Sequence, residues 1–306
     1  MMKIYINDSQ ENWICDRMRS EFINFNNQYI TENILEADVV WLLFNWIWRQ
    51  APIDLLASKK VVTTIHHIDP EKLDLNDFLM RDRFIDAYHV FSEKTIPHFP
   101  DAINKNKIHI VPYWYNEGLW SATDKKKDLR EKFQIPTNKF VIGSFQRDTE
   151  GFDLKTPKLS KGPDIFCDIL EQLHPKPHVL LSGWRRQYVI NRLKNTGITY
   201  SYFEMANFKE LNDLYNCLDL YLVTSRHEGG PQAVLECSSN KTPILSTDVG
   251  FASKVLTQES ILGTVGDFVN KIQSKSFDNV IENYKNIQNY RMEKTMPQYI
   301  KFFQDI

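Results

Sequence analysis

LDLYLVTSRHEGGPQAVLECSSN, residues 218–240, divides into three pieces. The run 218–225 is apolar and β-branched enough to read as a buried strand. Residues 231–240 read as a helix, with Pro231 in the first turn, where a missing N–H costs nothing. Gly229 and Gly230 then form a strand-to-helix turn. Such a turn leaves backbone N–H groups at the positive end of a helix, which suits an anion or polar hydroxyls. Glu228 stands at the mouth of the turn, and Glu236 lies about one and a half turns into the helix. The two carboxylates are placed to bracket one ligand from different depths. A bare pair of acids at this spacing fits two solvated side chains better than a site. The strand-turn-helix setting favours a site.

Working outward, the same alternation recurs. KFVIGSF (139–145), HVLLSG (178–183), GITYSYF (197–203) and TPILSTD (242–248) read as strands, with helical patterns at 163–173 and 207–218 between them. An earlier series precedes it: 3–7, 38–44, 60–67, 87–92 and 107–113. The break between them, 114–133, passes from aromatic to highly charged. Two consecutive β/α series imply an α/β protein with two parallel-sheet domains. Ligands of such sheets bind at the carboxyl ends of the strands. The expected architecture is two Rossmann-like domains, 1–115 and 116–285, facing each other across a cleft, with 114–120 as a hinge and a helical segment at 286–306.

Bulk properties narrow the class. The chain has 306 residues, 42% hydrophobic and 25% charged, with a net charge of −2. That balance offers no electrostatic signature of nucleic-acid binding. Cys15, Cys167, Cys217 and Cys237 are scattered without a C-x-x-C pair, which fits reduced cytoplasmic thiols better than a zinc site or disulfide framework. MMKIYINDSQ has no secretory-leader pattern. The longest apolar run, 37–48, is too short to span a bilayer.

Four further stretches fall at expected strand ends. Arg147 follows a strand, and Lys161 precedes the helix opening at Gly162-Pro163. Two cations there match a departing diphosphate, whose charge must be neutralised. Each alone also fits ordinary surface basicity. His66 and His67 end the strand 60–67; neighbours on a strand point to opposite faces, so only one of them is expected on the ligand side, and a lone strand-end histidine is more often structural. Trp184, Arg185 and Arg186 read as a loop near the cleft followed by an exposed helix face, with stacking on RNA as the alternative. Trp46 and Trp48, beside Arg49, read as a packed core edge, with a glycan or membrane surface as the alternative.

Taken together, LREKFQIPTNKFVIGSFQR…KGPDIF, MANFKELNDLYNCLDLYLVTSRHEGGPQAVLEC and TPILSTDVG resemble the C-terminal half of the retaining glycosyltransferases of family 4, of the "glycosyl transferases group 1" type, which have the GT-B fold. The resemblance covers about residues 120–260. TIHHID, HVFSEKT and HIVPYWYN match the first half in outline. It implies transfer of a sugar, a hexosyl group expected, from a UDP- or GDP-sugar to a hydroxyl of a glycan, lipid-linked or small-molecule acceptor, in polysaccharide biosynthesis. The donor domain is the second and the acceptor domain the first. The resemblance implies that the final helix, 286–306, crosses back to the first domain and buries Tyr290, Met292, Tyr299, Phe302 and Phe303 there; packing on its own domain is the alternative. Arg147 and Lys161 match the pair that holds the donor diphosphate. Glu228 matches the acid at the sugar hydroxyls, and Glu236 the acid at the ribose. Gly229, Gly230, Pro231 and Gln232 would present backbone to sugar and phosphates. Met205 and Ala206 fall beside the nucleobase. His66, with His67 as alternative, matches the histidine near the sugar.

The resemblance further implies a front-face mechanism that needs neither a cofactor nor a bound metal, and a cytoplasmic enzyme with peripheral membrane contact as an option. Two departures are visible. IYINDSQENW lacks the glycine-rich loop that often follows the family's first strand, so Asn7, Asp8 and Ser9 are expected to supply polar contacts. Gly-Gly-Pro-Gln stands where Gly-Phe-Gly is commoner, so the donor sugar does not carry over. The alternatives are a sugar-nucleotide hydrolase or epimerase on the same fold, and a non-catalytic nucleotide-sugar or glycan binder.

Overall fold

Each apolar run of the sequence forms a parallel strand, shorter than the run itself. The computed structural model describes residues 1–11, 14–277 and 279–306. Two compact units emerge: Met1–Trp114 with Met292–Ile306, and Tyr115–Arg291.

In the first unit, β1 (Ile4–Ile6), β2 (Val39–Leu42), β3 (Lys60–Thr64), β4 (Ala87–Val90) and β5 (Ile108–Ile110) lie side by side in sequence order. All pairings are parallel. A single parallel bridge joins Ile4 to Ile30. The chain therefore touches one flank of β1 before crossing to β2 on the other, and the winding reverses at β1. β2 is buried along its whole length, as a parallel strand covered on both faces must be. The helix Met292–Asp305 belongs to this unit. Its Tyr299 and Phe303 pack on Trp41 at 5.7 and 5.1 Å, and the Tyr299 hydroxyl donates to the Pro112 carbonyl at 3.1 Å. Phe302 is buried too, whereas Tyr290 stacks on Phe251 in the second unit.

A buried polar chain crosses this aromatic core. The Trp41 indole N–H donates to Thr64 Oγ1 at 2.8 Å, Thr64 contacts His89 Nδ1 at 2.9 Å, and His89 Nε2 reaches the Val111 carbonyl at 2.9 Å. A carbonyl only accepts, so Nε2 carries the proton and Nδ1 accepts from Thr64. Burial holds His89 neutral and pushes its pKa down from the ordinary 6.5 to about 3. The folded value lies below the unfolded one. The stability this histidine contributes is thus complete above pH 6.5 and is lost as pH falls towards 3. By pH 5 the loss is expected to be on the order of 2 kcal/mol. Urea midpoints measured at pH 7 and pH 5 check this. His89→Gln should flatten the dependence, and an unchanged slope in that variant would refute the assignment.

The second unit has β6 (Val141–Phe145), β7 (His178–Ser182), β8 (Tyr200–Phe203), β9 (Leu220–Val223) and β10 (Ile244–Ser246), in the order β10-β9-β6-β7-β8. The pairings are again parallel. The winding goes from β6 through β7 to β8 on one side, then returns to β9 and β10 on the other. That reversal opens a crevice at the carboxyl ends of β6 and β9.

Several readings change. The strand at 60–67 ends at Thr64, so His66 and His67 lie in the loop beyond it. The Asn7 side chain is buried, donating to the Phe44 carbonyl at 2.9 Å and accepting the Phe44 N–H at 3.1 Å. Asp8 faces Arg19 at 3.5 Å. Trp48 is a core residue whose indole N–H meets Asp77, while Trp46 is about half exposed and donates to Glu11. The four cysteines are buried free thiols. Among the described residues, no helix is long and apolar enough to cross a membrane.

Candidate functional site at the carboxyl ends of the second sheet

The loop after β9 decides the site. The strand stops at Val223 and the helix Gln232–Ser239 starts after Pro231, which is its N-cap rather than its first residue. Residues 224–231 therefore form a longer connection than a two-glycine turn. Gly229 and Gly230 keep φ outside the left-handed region; the left-handed glycines nearby are Gly162 and Gly250. Gly250 is where bareness is needed, since a Cβ there would lie 2.7 Å from the Gly229 carbonyl oxygen.

This connection is stitched to the loop after β6. The Thr224 hydroxyl donates to the Gly162 carbonyl at 2.8 Å. The Arg226 and His227 N–H groups donate to the Ser160 carbonyl at 2.8 and 3.1 Å. The Arg226 guanidinium forks onto Asp164 at 2.8 and 2.6 Å. Gly162 sits at φ +59°, and a Cβ there would be 1.8 Å from the Thr224 carbonyl oxygen. The outcome is a fixed meeting of Lys161 and Glu228, with Nζ and Oε1 2.5 Å apart. The Ser225 hydroxyl also donates to Glu228 Oε1, at 3.0 Å. The ammonium and carboxylate satisfy one another in a half-buried setting, where such pairs are strong.

Arg147, at the end of β6, donates through Nε to the Thr149 carbonyl at 3.0 Å, and its guanidinium lies 5.2 Å from the Trp184 ring. Arg185 covers the same ring at 4.6 Å. Burial, then Arg185, hold Arg147 below its ordinary pKa. Glu236 faces the interior. It is buried and accepts the Tyr215 hydroxyl at 2.7 Å. Tyr215 is packed among Phe145, Tyr221 and Trp120, and burial, then Glu236, raise its pKa well above the ordinary value. The two glutamates thus sit in different environments, one on a cation and one on a phenol. Met205 is exposed and Ala206 half-buried after β8, before the helix Phe208–Asn216, whose Asn207 and Glu210 form a capping box.

Arg186 requires a correction. It does not sit on an exposed helix face but is fully buried. Its Nε meets Asp148 at 2.5 Å, and its other nitrogens hold Ser182 and Ser144 at the ends of β7 and β6. Asp148 in turn accepts from Thr149, whose Oγ1 receives the Tyr188 N–H. This network, Ser225 and Tyr215 are the functional neighbours that the sequence did not announce. The one available signal was Arg186 at the start of an apolar-faced helix.

In the first unit, His66 Nε2 lies 2.8 Å from the Leu43 carbonyl, so it carries the proton, and Nδ1 faces the Tyr113 hydroxyl at 3.3 Å. The ring is 5.8 Å from Trp46 and 5.6 Å from Phe91. Its Nε2 is 3.7 Å from the Cys15 sulfur. His67 is half-buried in the same loop.

A family model described as "Glycosyl transferases group 1" matches residues 125–294. No curated protein sequence matches this one. Among solved structures, Anabaena HepE in complex with UDP and glucose is similar, with a TM-score of 0.79 at 13% identity over 100% of both chains. Its complex with UDP-glucose gives 0.77 at 14%, again over 100% of both chains. Sucrose-phosphate synthase from Thermosynechococcus elongatus gives 0.70 at 14% identity, covering 95% of this chain and 77% of that one. The pneumococcal O-GlcNAc transferase GtfA, in complex with UDP and GlcNAc, gives 0.63 at 12%, covering 94% and 59%. The fold shared with these structures is GT-B, with two Rossmann-like units.

Proposed function

Since the chain belongs to the glycosyl transferases group 1 family, we propose that it is a retaining family 4 enzyme that moves a hexosyl group from a UDP-sugar to a hydroxyl of a glycan or glycolipid acceptor. The observation that carries this reading is the Lys161–Glu228 pair, held where β6 and β9 diverge. A nucleotide-sugar offers each partner a replacement of its own kind. Phosphate oxygens suit the ammonium, and sugar hydroxyls suit the carboxylate. HepE, TarM of S. aureus and GtfA are each solved with UDP, which supports uridine over guanosine as the donor base.

The chemistry follows from these groups. The bond from the anomeric carbon to the β-phosphate oxygen breaks, and its electron pair leaves with the phosphate. The acceptor hydroxyl attacks from the same face and passes its proton to a leaving oxygen. Arg147 and Lys161 compensate the departing charge, and Glu228 fixes the sugar, so that catalysis rests on positioning and electrostatics. Glu236 takes the ribose hydroxyls, with Tyr215 holding its carboxylate in place. Met205 and Ala206 border the base, backbone from Gly229 to Gln232 faces the phosphates, and His66 matches the family's histidine near the sugar.

A thermal-shift panel of UDP-, GDP- and ADP-sugars should show stabilisation by a UDP-sugar. NMR of the product should show the donor's anomeric configuration. An inverted product would overturn retention. Donor consumption without acceptor would favour a hydrolase, and binding without turnover a binding protein. Glu236→Gln is expected to weaken UDP by roughly 1.5–3 kcal/mol, the scale of a hydrogen bond to a charged group. Calorimetry showing equal affinity would remove Glu236 from the ribose.

A further inference from the structure

The loop between β6 and the helix Pro163–Gln172 carries a cation that the reading above does not use. Its chain leaves and returns as an antiparallel excursion: Thr149 bridges Pro157, and the Glu150 N–H donates to the Thr156 carbonyl at 2.9 Å. The Lys158 N–H closes the base on the Asp148 carbonyl at 2.8 Å, one residue from Arg147. Lys158 then caps the 3-10 turn Leu159–Lys161 and accepts the Lys161 N–H at 2.8 Å. Lys158 thus stands one short turn before Lys161, and the two ammonium groups are near enough to repel each other.

The charged groups around the Lys158 ammonium are Lys161 and Arg147, of like sign, and Glu228 and Glu150, of opposite sign. Glu228 is taken by Lys161. Among the described residues, no hydrogen bond or ion pair engages Lys158 Nζ itself. Burial, with the two neighbouring cations, pushes its pKa down to about 8. A partly desolvated ammonium facing two cations is unfavourable for the protein alone and favourable once an anion arrives.

Resting on the donor reading above, we propose that Lys158 is a third cation of the diphosphate site and grips the terminal phosphate of a released nucleoside diphosphate more tightly than the diester of the nucleotide-sugar. In the donor the diphosphate is esterified at both ends, to the ribose and to the sugar. When the bond to the sugar breaks, its electron pair stays on the β-phosphate oxygen, which becomes a terminal group bearing about one more negative charge. Arg147 and Lys161 match the charge of the diester, and Lys158 answers the charge that appears on departure. An interaction that strengthens along the reaction speeds the chemical step, whereas one present throughout does not.

The test is calorimetry of UDP, GDP and their monophosphates, and of UDP-glucose, against wild type, Lys158→Gln and Lys158→Arg between pH 6.5 and 9.5. Nucleoside-diphosphate affinity of the wild type should fall about tenfold towards pH 9.5, as the free protein's Lys158 loses its proton. Lys158→Arg should keep the neutral-pH affinity and lose the pH dependence, because guanidinium stays charged. Lys158→Gln should bind the diphosphate about tenfold more weakly at pH 7, with the monophosphate and UDP-glucose affected less. A Lys158→Gln profile identical to wild type would overturn this inference and leave the donor reading standing. A wild type that binds no nucleoside diphosphate at all would overturn both.

Discussion

Arg186→Gln is expected to destabilise the second unit by about 3–5 kcal/mol, the cost of stranding one member of a buried ion pair. Both side chains of the Arg186–Asp148 pair are 0% exposed, so solvent does not soften the loss. The guanidinium also satisfies the Ser182 and Ser144 carbonyls, and these acceptors would be left without a donor. Asp148→Asn should cost less, because an amide still accepts from Thr149. Replacing both partners with apolar residues, Arg186→Met with Asp148→Leu, should recover only the part due to the stranded Asp148 charge, because the Ser182 and Ser144 carbonyls still lose the guanidinium. Urea titration of the three variants decides the matter. A loss under about 1 kcal/mol for Arg186→Gln would mean that the network does not brace the ends of β6 and β7.

Glu228→Gln should lower turnover about 10²–10³-fold, the range seen when one preorganised electrostatic contact is removed from an enzyme active site. Free UDP should bind at least as tightly as before. The carboxylate competes with phosphate for Lys161, and the neutral amide competes less. Lys161→Ala should act in the opposite sense, weakening nucleoside diphosphate by roughly 1.5–3 kcal/mol. Steady-state kinetics beside calorimetry separates the two. Equal effects of both substitutions on free UDP would show that the pair acts as one structural unit rather than dividing donor contacts.

The parallel strands were legible because a strand covered on both faces is a near-continuous apolar run, as VVWL and LYLV show. Their ends were not, because apolar character continues past the last ladder bond; His66 and His67 lie in that overshoot. Arg147, Lys161, Glu228 and Glu236 could be singled out as residues, but their partners could not. Glu228 meets a lysine 67 positions away, and Glu236 a tyrosine 21 away. Arg186 was misread for the same reason. A charge looks exposed until the fold supplies Asp148, 38 residues earlier. Gly229 and Gly230 drew attention as turn-formers, while the steric requirement belongs to Gly162 and Gly250. Only the approach of a second segment distinguishes them.

The stitching of 160–164 to 224–227 bears on how such a protein diversifies. Gly162 cannot admit a methyl group, since the Thr224 oxygen stands 1.8 Å from where it would sit. Arg226 and Asp164 are likewise keyed to each other. A homologous exchange that imports the segment after β9 without the one after β6 would inherit a lock without its key. The two stretches, some sixty residues apart in the gene, are therefore expected to be inherited as one cassette, and a chimaera that exchanges one should transplant both.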